Sequence, residues 1–292
     1  MKKSKEVIGF YVIALSLTTV FAVLCLLPVL YTVTGSFTPE RELAKGLKLI
    51  PDHWTLEAYR MVWKNPTGIL RAYGITIALV VFGVGIGLVM TTMTAYVLYR
   101  RDCKARRGLS FFFFFTTLFS GGMVPYYIWM CRLGLRDTFG ILLFNGLFSV
   151  FYMFIVRTYF TSNIPISLVE SGKVDGANDF VIYLKIVMPS AKPVLATIGL
   201  MQAIAYWNNW STAAIFITEA DLYPLQFYLY RIFQDASLRQ KLLEVGISVN
   251  GSAPMESYKL AMTVVTMGPV ILFYPFVQKY FVAGVTIGAV KE

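Results

Sequence analysis

Residues 169–189 read VESGKVDGANDFVIYLKIVMP, a polar, turn-punctuated element in a chain that otherwise consists mostly of long apolar runs. Three carboxylates (Glu170, Asp175, Asp179) and two lysines (Lys173, Lys185) interrupt the apolar residues, and Pro189 closes the stretch. Ser167 and Glu170 stand as Ser-x-x-Glu, a spacing at which each side chain can bond the other's free backbone N–H at a helix start. Pro165 keeps the approach extended. Asp175–Gly176 supplies a residue able to take the left-handed conformation that ends a helix. Asn178 or Asp179 can then cap a second helix over Phe180 to Val187, which Pro189 ends or bends. The stretch reads as helix, tight turn, helix. Its stiff, polar character suits docking into another protein better than a plain solvated loop would.

Outward from this element the chain turns apolar. Of its 292 residues 57% are hydrophobic and only 14% charged, against about 25% charged in soluble domains. Six stretches carry no Asp, Glu, Lys, Arg or His: Val7–Pro39, Ala72–Tyr99, Gly108–Cys131, Thr138–Val156, Pro193–Thr218 and Leu260–Gln278. Each meets the roughly 18–20 residues a helix needs to cross a hydrocarbon core of about 30 Å. Inside lipid the backbone must satisfy its own hydrogen bonds, so such runs read as helices. The expectation is an all-α membrane protein, a single transmembrane domain over 1–292. Its six transmembrane helices lie near 10–35, 73–99, 109–131, 138–156, 193–218 and 260–278, and the loop 157–192 joins the fourth to the fifth. The first run is far longer than a signal-peptide core and no small-residue cleavage site ends it, so it reads as a retained anchor.

The net charge of +10 could suggest nucleic-acid binding, but its distribution argues for topology. With the N-terminus inside, inner segments hold 14 Lys/Arg against 6 acids and outer segments 12 against 10. The short, dense RRDCKARR (100–107) carries most weight in the positive-inside rule. Both termini and 157–192 are therefore expected in the cytoplasm. Cys25, Cys103 and Cys131 show no disulfide or metal spacing, and His53 stands alone. The sequons at Asn209 and Asn250 read as chance.

Two local patterns complete the organisation. TLEAYRMVW places Leu56, Tyr59 and Trp63 on one face of a short helix, either lying at the membrane surface or packed as an ordinary loop helix. Gly83 and Gly87 form Gly-x-x-x-Gly, which lets two helices approach closely; their context and spacing do not fit a dinucleotide fingerprint. No Gly-x-x-x-x-Gly-Lys-Ser/Thr, His-Glu-x-x-His or Gly-x-Ser-x-Gly occurs. The charge-free spans lack the groups an intramembrane enzyme or ion-coupled carrier would use. The energy source is expected to lie elsewhere, with no catalytic or metal-ligating residues in this chain.

Glu170, Gly176, Ile186, Met188 and Pro189 follow the spacing Glu-Ala-Ala-x3-Gly-x9-Ile-x-Leu-Pro, with Ser171 and Gly172 replacing the two alanines and Met replacing Leu. This resembles the signature of inner-membrane permease subunits of binding-protein-dependent ABC importers. FSGGMVPYY (119–127), YWNNW (206–210), LYPLQ (222–226) and YPFVQKYFVAGVTIGAVKE (274–292) look like the carbohydrate branch of that family, which includes a subunit of the alginate importer and the second permease of the maltose system. The resemblance implies a type I importer permease fold in the bacterial inner membrane. It implies a coupling helix that seats in a separate ATPase, carried here by Glu170, Ser171, Gly172, Asp175, Gly176, Ala177 and Asn178. The implied partners are a second permease, two ATPase subunits that bind the ATP and Mg, and an extracytoplasmic solute-binding protein. This chain itself needs no cofactor.

In span five Gln202, Tyr206, Asn208, Asn209 and Trp210 combine amides with aromatic faces able to stack on sugar rings. They are the candidate substrate path. The competing reading is that they tie helices together or anchor the outer interface. A self-contained secondary carrier is the alternative function, and an intramembrane sugar-transfer enzyme a weaker one.

Overall fold

The computed structural model describes residues 5–46, 48–64, 66–244 and 256–271. The chain divides into two units, Met1–Pro66 with Arg231–Pro269, and Thr67–Tyr230 with Val270–Glu292. Every regular element among the described residues is helical.

In the first unit α1 (Lys5–Ser36) runs 32 residues, and its apolar part, Gly9–Ser36, is long enough to cross a membrane. The chain then turns through Thr38, whose N–H donates to the Gly35 carbonyl, into α2 (Glu40–Leu43) and α3 (Glu57–Val62). The short helix expected around Tyr59 is α3. Its Tyr59 hydroxyl meets Ser36 Oγ at 2.8 Å and its ring lies 4.9 Å from that of Phe37, so α3 is pinned to the exit of α1. Leu56 and Trp63 stay exposed at its ends. The Glu40 carboxylate accepts the backbone N–H groups of Glu256 and Ser257 at 3.0 Å, capping the helical run over 256–271.

The second unit is organised along α4 (Pro66–Tyr99), 34 residues or roughly 51 Å of helix. Its buried residues Ile69, Ala72, Thr76, Leu79, Gly83 and Gly87 recur every three or four positions, one helical face. After it come α5 (Arg106–Leu118), α6 (Met123–Arg132), α7 (Phe139–Phe144), α8 (Val150–Asn163), α9 (Ile166–Val174) and α10 (Asp179–Ile182). A π turn over Tyr183–Val187 leads into α11 (Met188–Ser190), α12 (Lys192–Trp207), α13 (Ser211–Phe216) and α14 (Leu225–Glu244), of which the residues to Tyr230 belong to this unit. Two cores form. One gathers Tyr96, Tyr99, Met153, Phe160, Ile182 and Val187, and the other Leu79, Ile141, Leu142, Tyr206, Phe216 and Phe227.

The glycine pair in α4 does pack helices. A Cβ on Gly83 would collide with the Tyr206 ring, and one on Gly87 would lie 2.7 Å from the Leu147 carbonyl and 3.0 Å from Gln202 Nε2.

Three of the charge-free stretches are not single helices. The stretch 109–131 holds α5 and α6, which meet at 113° where Gly122 takes φ +85°. The stretch 138–156 is broken between α7 and α8 around Asn145–Gly146, and 193–218 between α12 and α13 at Asn208–Trp210. Absence of charge says nothing about Gly-Gly, Asn-Gly or Asn-Asn, residues that end helices without ionising. By length and composition two described helices could cross a membrane, or four if each sharply bent pair is one span. Residues 272–278 of the sixth stretch and the C-terminal tail lie outside the described residues.

Candidate functional site

The helix–turn–helix expected at 169–189 is present, with one correction at its start. α9 begins at Ile166 on an N-cap Pro165 (φ −60°, ψ 135°) that makes no side-chain cap. Ser167 is thus already inside the helix, and the reciprocal Ser167–Glu170 cap does not form. Proline's fixed φ sets the helix start ahead of the serine.

The end of α9 follows the expected chemistry. Gly176 takes φ +79°, its N–H donates to Lys173 O, and the Ala177 N–H donates to Gly172 O, both at 3.0 Å. That bond pair is the Schellman motif, which satisfies carbonyls a helix end would leave free. Asn178 Oδ1 then accepts the Val181 N–H at 2.8 Å and opens α10. The helix widens into the π turn, where the Met188 N–H reaches back five residues to Tyr183 O. Pro189 has no N–H to offer the Lys185 carbonyl, and its ring crowds that position, which disfavours a regular α turn there. The chain bends by 83° before α12.

The element has two sides. Inward, Val169, Ile182, Tyr183 and Val187 are buried, and a Cβ on Gly172 would already lie 3.0 Å from Ile186 Cδ1. Gly172 is therefore a packing residue and Ala177 is half-buried. Glu170, Ser171, Asp175, Gly176 and Asn178 are exposed. Beside them stand uncovered apolar side chains, Val174 at 86% exposure and Phe180 at 58%.

Sequence reading missed how this element is fastened. At the end of α4, the Arg100 guanidinium is 6% exposed. It donates to Tyr96 Oη at 2.7 Å, Asp179 Oδ1 at 2.6 Å and Asp102 Oδ1 at 2.8 Å. Asp102 also pairs with Lys173 of α9. The hydrogen bonds from Arg100, then from Lys173, hold the Asp102 carboxyl well below the usual carboxylate range, and the bonds to Asp102, then to Asp179 and Tyr96, push the Arg100 guanidinium further up. Higher on α4, Thr92 Oγ1 meets Tyr183 Oη at 2.7 Å and Tyr99 Oη donates to Ile164 O at 2.9 Å. The available signal was the acid inside RRDCKARR: a carboxylate among five bases is a local partner as well as a topology marker.

The candidate substrate-path residues fall into two groups. Gln202 and Tyr206 are buried. Tyr206 donates to Leu143 O at 2.7 Å, and its ring lies against both Gly83 and Gly146. Gln202 is 1% exposed and, among the described residues, neither amide atom finds a partner. Asn208, Asn209 and Trp210 lie at the break between α12 and α13. Asn208 Oδ1 accepts from Gln226, Asn209 Oδ1 accepts the Thr212 N–H, and Trp210 stacks on Tyr230 at 4.7 Å. From there a polar chain runs on: Asn145 Nδ2 donates to Thr212 Oγ1 at 2.7 Å and Tyr126 Oη donates to Asn145 Oδ1 at 3.0 Å. Tyr126 and Asn145 line a cavity of about 530 Å³ at the α5–α6 bend with Ser120, Gly122, Met123 and Trp129. Its mixture of aromatic faces, an amide and hydroxyls is a surface a sugar ring can use. The sequence reading passed over it because its residues come from separate helices. Among the described residues no group of three or more His, Cys, Asp or Glu is placed to hold a metal.

The family described as "Binding-protein-dependent transport system inner membrane component" matches residues 1–287. The chain is 37% identical over 274 residues to the polygalacturonan/rhamnogalacturonan transport system permease protein YtcP of Bacillus subtilis (strain 168), covering 93% of this chain and 94% of that protein. It is 25% identical over 278 residues to the arabinooligosaccharides transport system permease protein AraQ of Halalkalibacterium halodurans, covering 92% of each. Among solved structures it matches a chain of a bacterial ABC transporter involved in the import of the acidic polysaccharide alginate, with a TM-score of 0.85, 32% identity, and coverage of 96% of this chain and 99% of that one.

Proposed function

The chain belongs to the binding-protein-dependent transport system inner membrane components, and from that membership we propose that it is the permease subunit of an ABC importer for an oligosaccharide. It is a multi-pass inner-membrane protein and a transport component, not an enzyme. Two relatives that handle acidic or pectic polysaccharides support a uronic-acid-containing oligomer as the cargo. Family membership sets aside the self-contained carrier.

In this reading 1–292 is one transmembrane domain of six spans with cytoplasmic termini, and 157–192 is the cytoplasmic coupling loop. The bent pair α5–α6 counts as a span broken at the substrate route, and the 83° bend at Ala191 marks the passage from the coupling loop into the fifth span. The partners are a second homologous permease, two ATPase subunits that bind ATP and Mg, and an extracytoplasmic solute-binding protein. Transport proceeds by alternating access, closure of the ATPases moving the docking element and with it the spans. Glu170, Ser171, Asp175, Gly176, Ala177 and Asn178 form the docking surface, and Gly172 packs it from beneath.

The observation that carries this reading is the exposed Val174 at the end of α9, 86% uncovered on an element otherwise capped and packed. An apolar side chain held out by a fixed turn fits a protein cleft better than solvent. Pull-down of the ATPase by the detergent-solubilised permease, beside oligosaccharide uptake, tests it. Retention of the ATPase by Val174→Asp would overturn the docking assignment.

Topology gives a separate test. A single cysteine at position 104 in a background lacking Cys25, Cys103 and Cys131 is expected to react only with a membrane-permeant maleimide. Reaction with an impermeant one from the outside would reverse the orientation.

The sugar route is assigned to the group at the α12–α13 break, Asn208, Asn209 and Trp210, together with Tyr126, Trp129 and Asn145. Gln202 and Tyr206 flank it from within. Loss of an aromatic platform or a paired amide is worth about 1–3 kcal/mol. Trp210→Ala and Asn145→Ala are thus each expected to lower uptake about 5- to 100-fold at limiting sugar while ATPase capture stays normal. Undiminished uptake in both would place the route elsewhere.

A further inference from the structure

The docking element is joined to its neighbours by two weak places in the chain. One is Pro165, an extended residue between α8 and α9, and the other is Ala191, which sits at the 83° bend before α12. A displacement carried only by these joints would be spent in bending them. The side ties described above meet the element at two separated points, Tyr183 and the pair Lys173/Asp179, while a third holds Ile164 just ahead of Pro165, and all come from the C-terminal part of α4 and the residues just after it. Among the polar ties of the described residues, the Arg100 cluster alone reaches both halves of the element, α10 directly through Asp179 and α9 through Asp102 and Lys173.

We propose that Arg100 is a positioning residue of the transport cycle, locking the docking element to the end of α4 so that its displacement passes directly into that long span. The inference rests on the docking assignment made above. Arginine is required for geometric reasons. One planar fork serves Tyr96, Asp102 and Asp179 in different directions, and a lysine at the same place is a point charge with a shorter reach. Asp102 and Asp179 are more than half exposed, so their neutral isosteres leave little unpaired charge buried. Losing the tie should change the transmission of movement more than the fold.

The test uses the assembled transporter in proteoliposomes, reading insertion, ATPase capture, and sugar transported per ATP hydrolysed. Arg100→Gln, Arg100→Lys and Asp179→Asn are each expected to insert and to capture the ATPase within about twofold of the parent, while transport per ATP falls about tenfold. A role confined to stability would lower all three readouts together. Rescue provides the decisive arm. In Arg100→Gln carrying Asp102→Cys and Lys173→Cys, with the native cysteines replaced by Ser, a short bifunctional maleimide is expected to restore transport per ATP to at least half of the parent value. An unchanged ratio in Asp179→Asn and Arg100→Lys, or no recovery on cross-linking, overturns the proposal. If Arg100→Gln fails to insert, Asp179→Asn alone decides it. Val174→Asp run in parallel separates the two readings. Its retention of the ATPase refutes docking itself, whereas its loss together with an intact ratio in the Arg100 variants refutes only the lock.

Discussion

Gly176→Val is expected to abolish uptake while the protein remains inserted at near-normal abundance. The residue takes φ +79°, where a β-branched side chain costs about 1–2 kcal/mol or more. Among the described residues no heavy atom lies within 4 Å of the position a Cβ would occupy, so the strain belongs to the backbone. The cheapest relief is to undo the turn. That removes the bonds from Gly176 N–H to Lys173 O and from Ala177 N–H to Gly172 O, and Val174 then loses its fixed direction. Because the lesion is one of backbone conformation, Gly176→Asn should be tolerated far better, and Gly176→Ala should fall between them. ATPase pull-down read beside membrane abundance and sugar uptake separates these cases. Normal capture with normal uptake in Gly176→Val would remove the turn from the coupling machinery.

A lesion of the opposite kind is expected at Gly83. There the backbone is ordinary helix, and the constraint is the Tyr206 ring, which a Cβ would strike. Tyr206 cannot swing away cheaply, since its hydroxyl is tied to Leu143 O and Gly146 closes its other side. Overpacking of this sort costs about 1–3 kcal/mol for one added methyl group and more for a larger side chain. Gly83→Leu should therefore lose most of its membrane-inserted, detergent-stable protein, and Gly83→Ala a smaller part. Tyr206→Ala should restore much of the stability of Gly83→Ala, though it is destabilising alone. Thermal denaturation monitored by size-exclusion recovery checks the cycle. Strict additivity of the two substitutions would show that ring and glycine do not meet.

The sequence reading succeeded where a single segment contains its own cause. The left-handed residue at Gly176, the Asn178 cap, the helix around Tyr59 and the close approach at Gly83 and Gly87 each follow from local residue types, and each is present. It misjudged continuity. Gly121–Gly122, Asn145–Gly146 and Asn208–Asn209 carry no charge, so a search for charge-free runs passes over the residues that break them. The Ser167–Glu170 cap lost to a competitor two positions earlier, because proline dictates its own dihedral angle. Arg100 with Asp179, and Tyr126 with Asn145, were out of reach for another reason. They lie 79 and 19 residues apart, and no periodicity pairs such positions without an arrangement of helices to bring them together.

The π turn at Tyr183–Val187 turns the family-like spacing into a matter of counting. A π turn is an α-helix carrying one surplus residue, and each residue of an α-helix turns the following side chain by about 100°. The interval between Gly176 and Pro189 therefore sets the azimuth at which Ile186 arrives beneath Gly172. One residue fewer would leave a continuous helix and a soluble surface, but it would rotate the docking tip by nearly a third of a circle relative to α12. Chain length here acts as an angular coordinate, and for that reason the segment is closed to insertion or deletion.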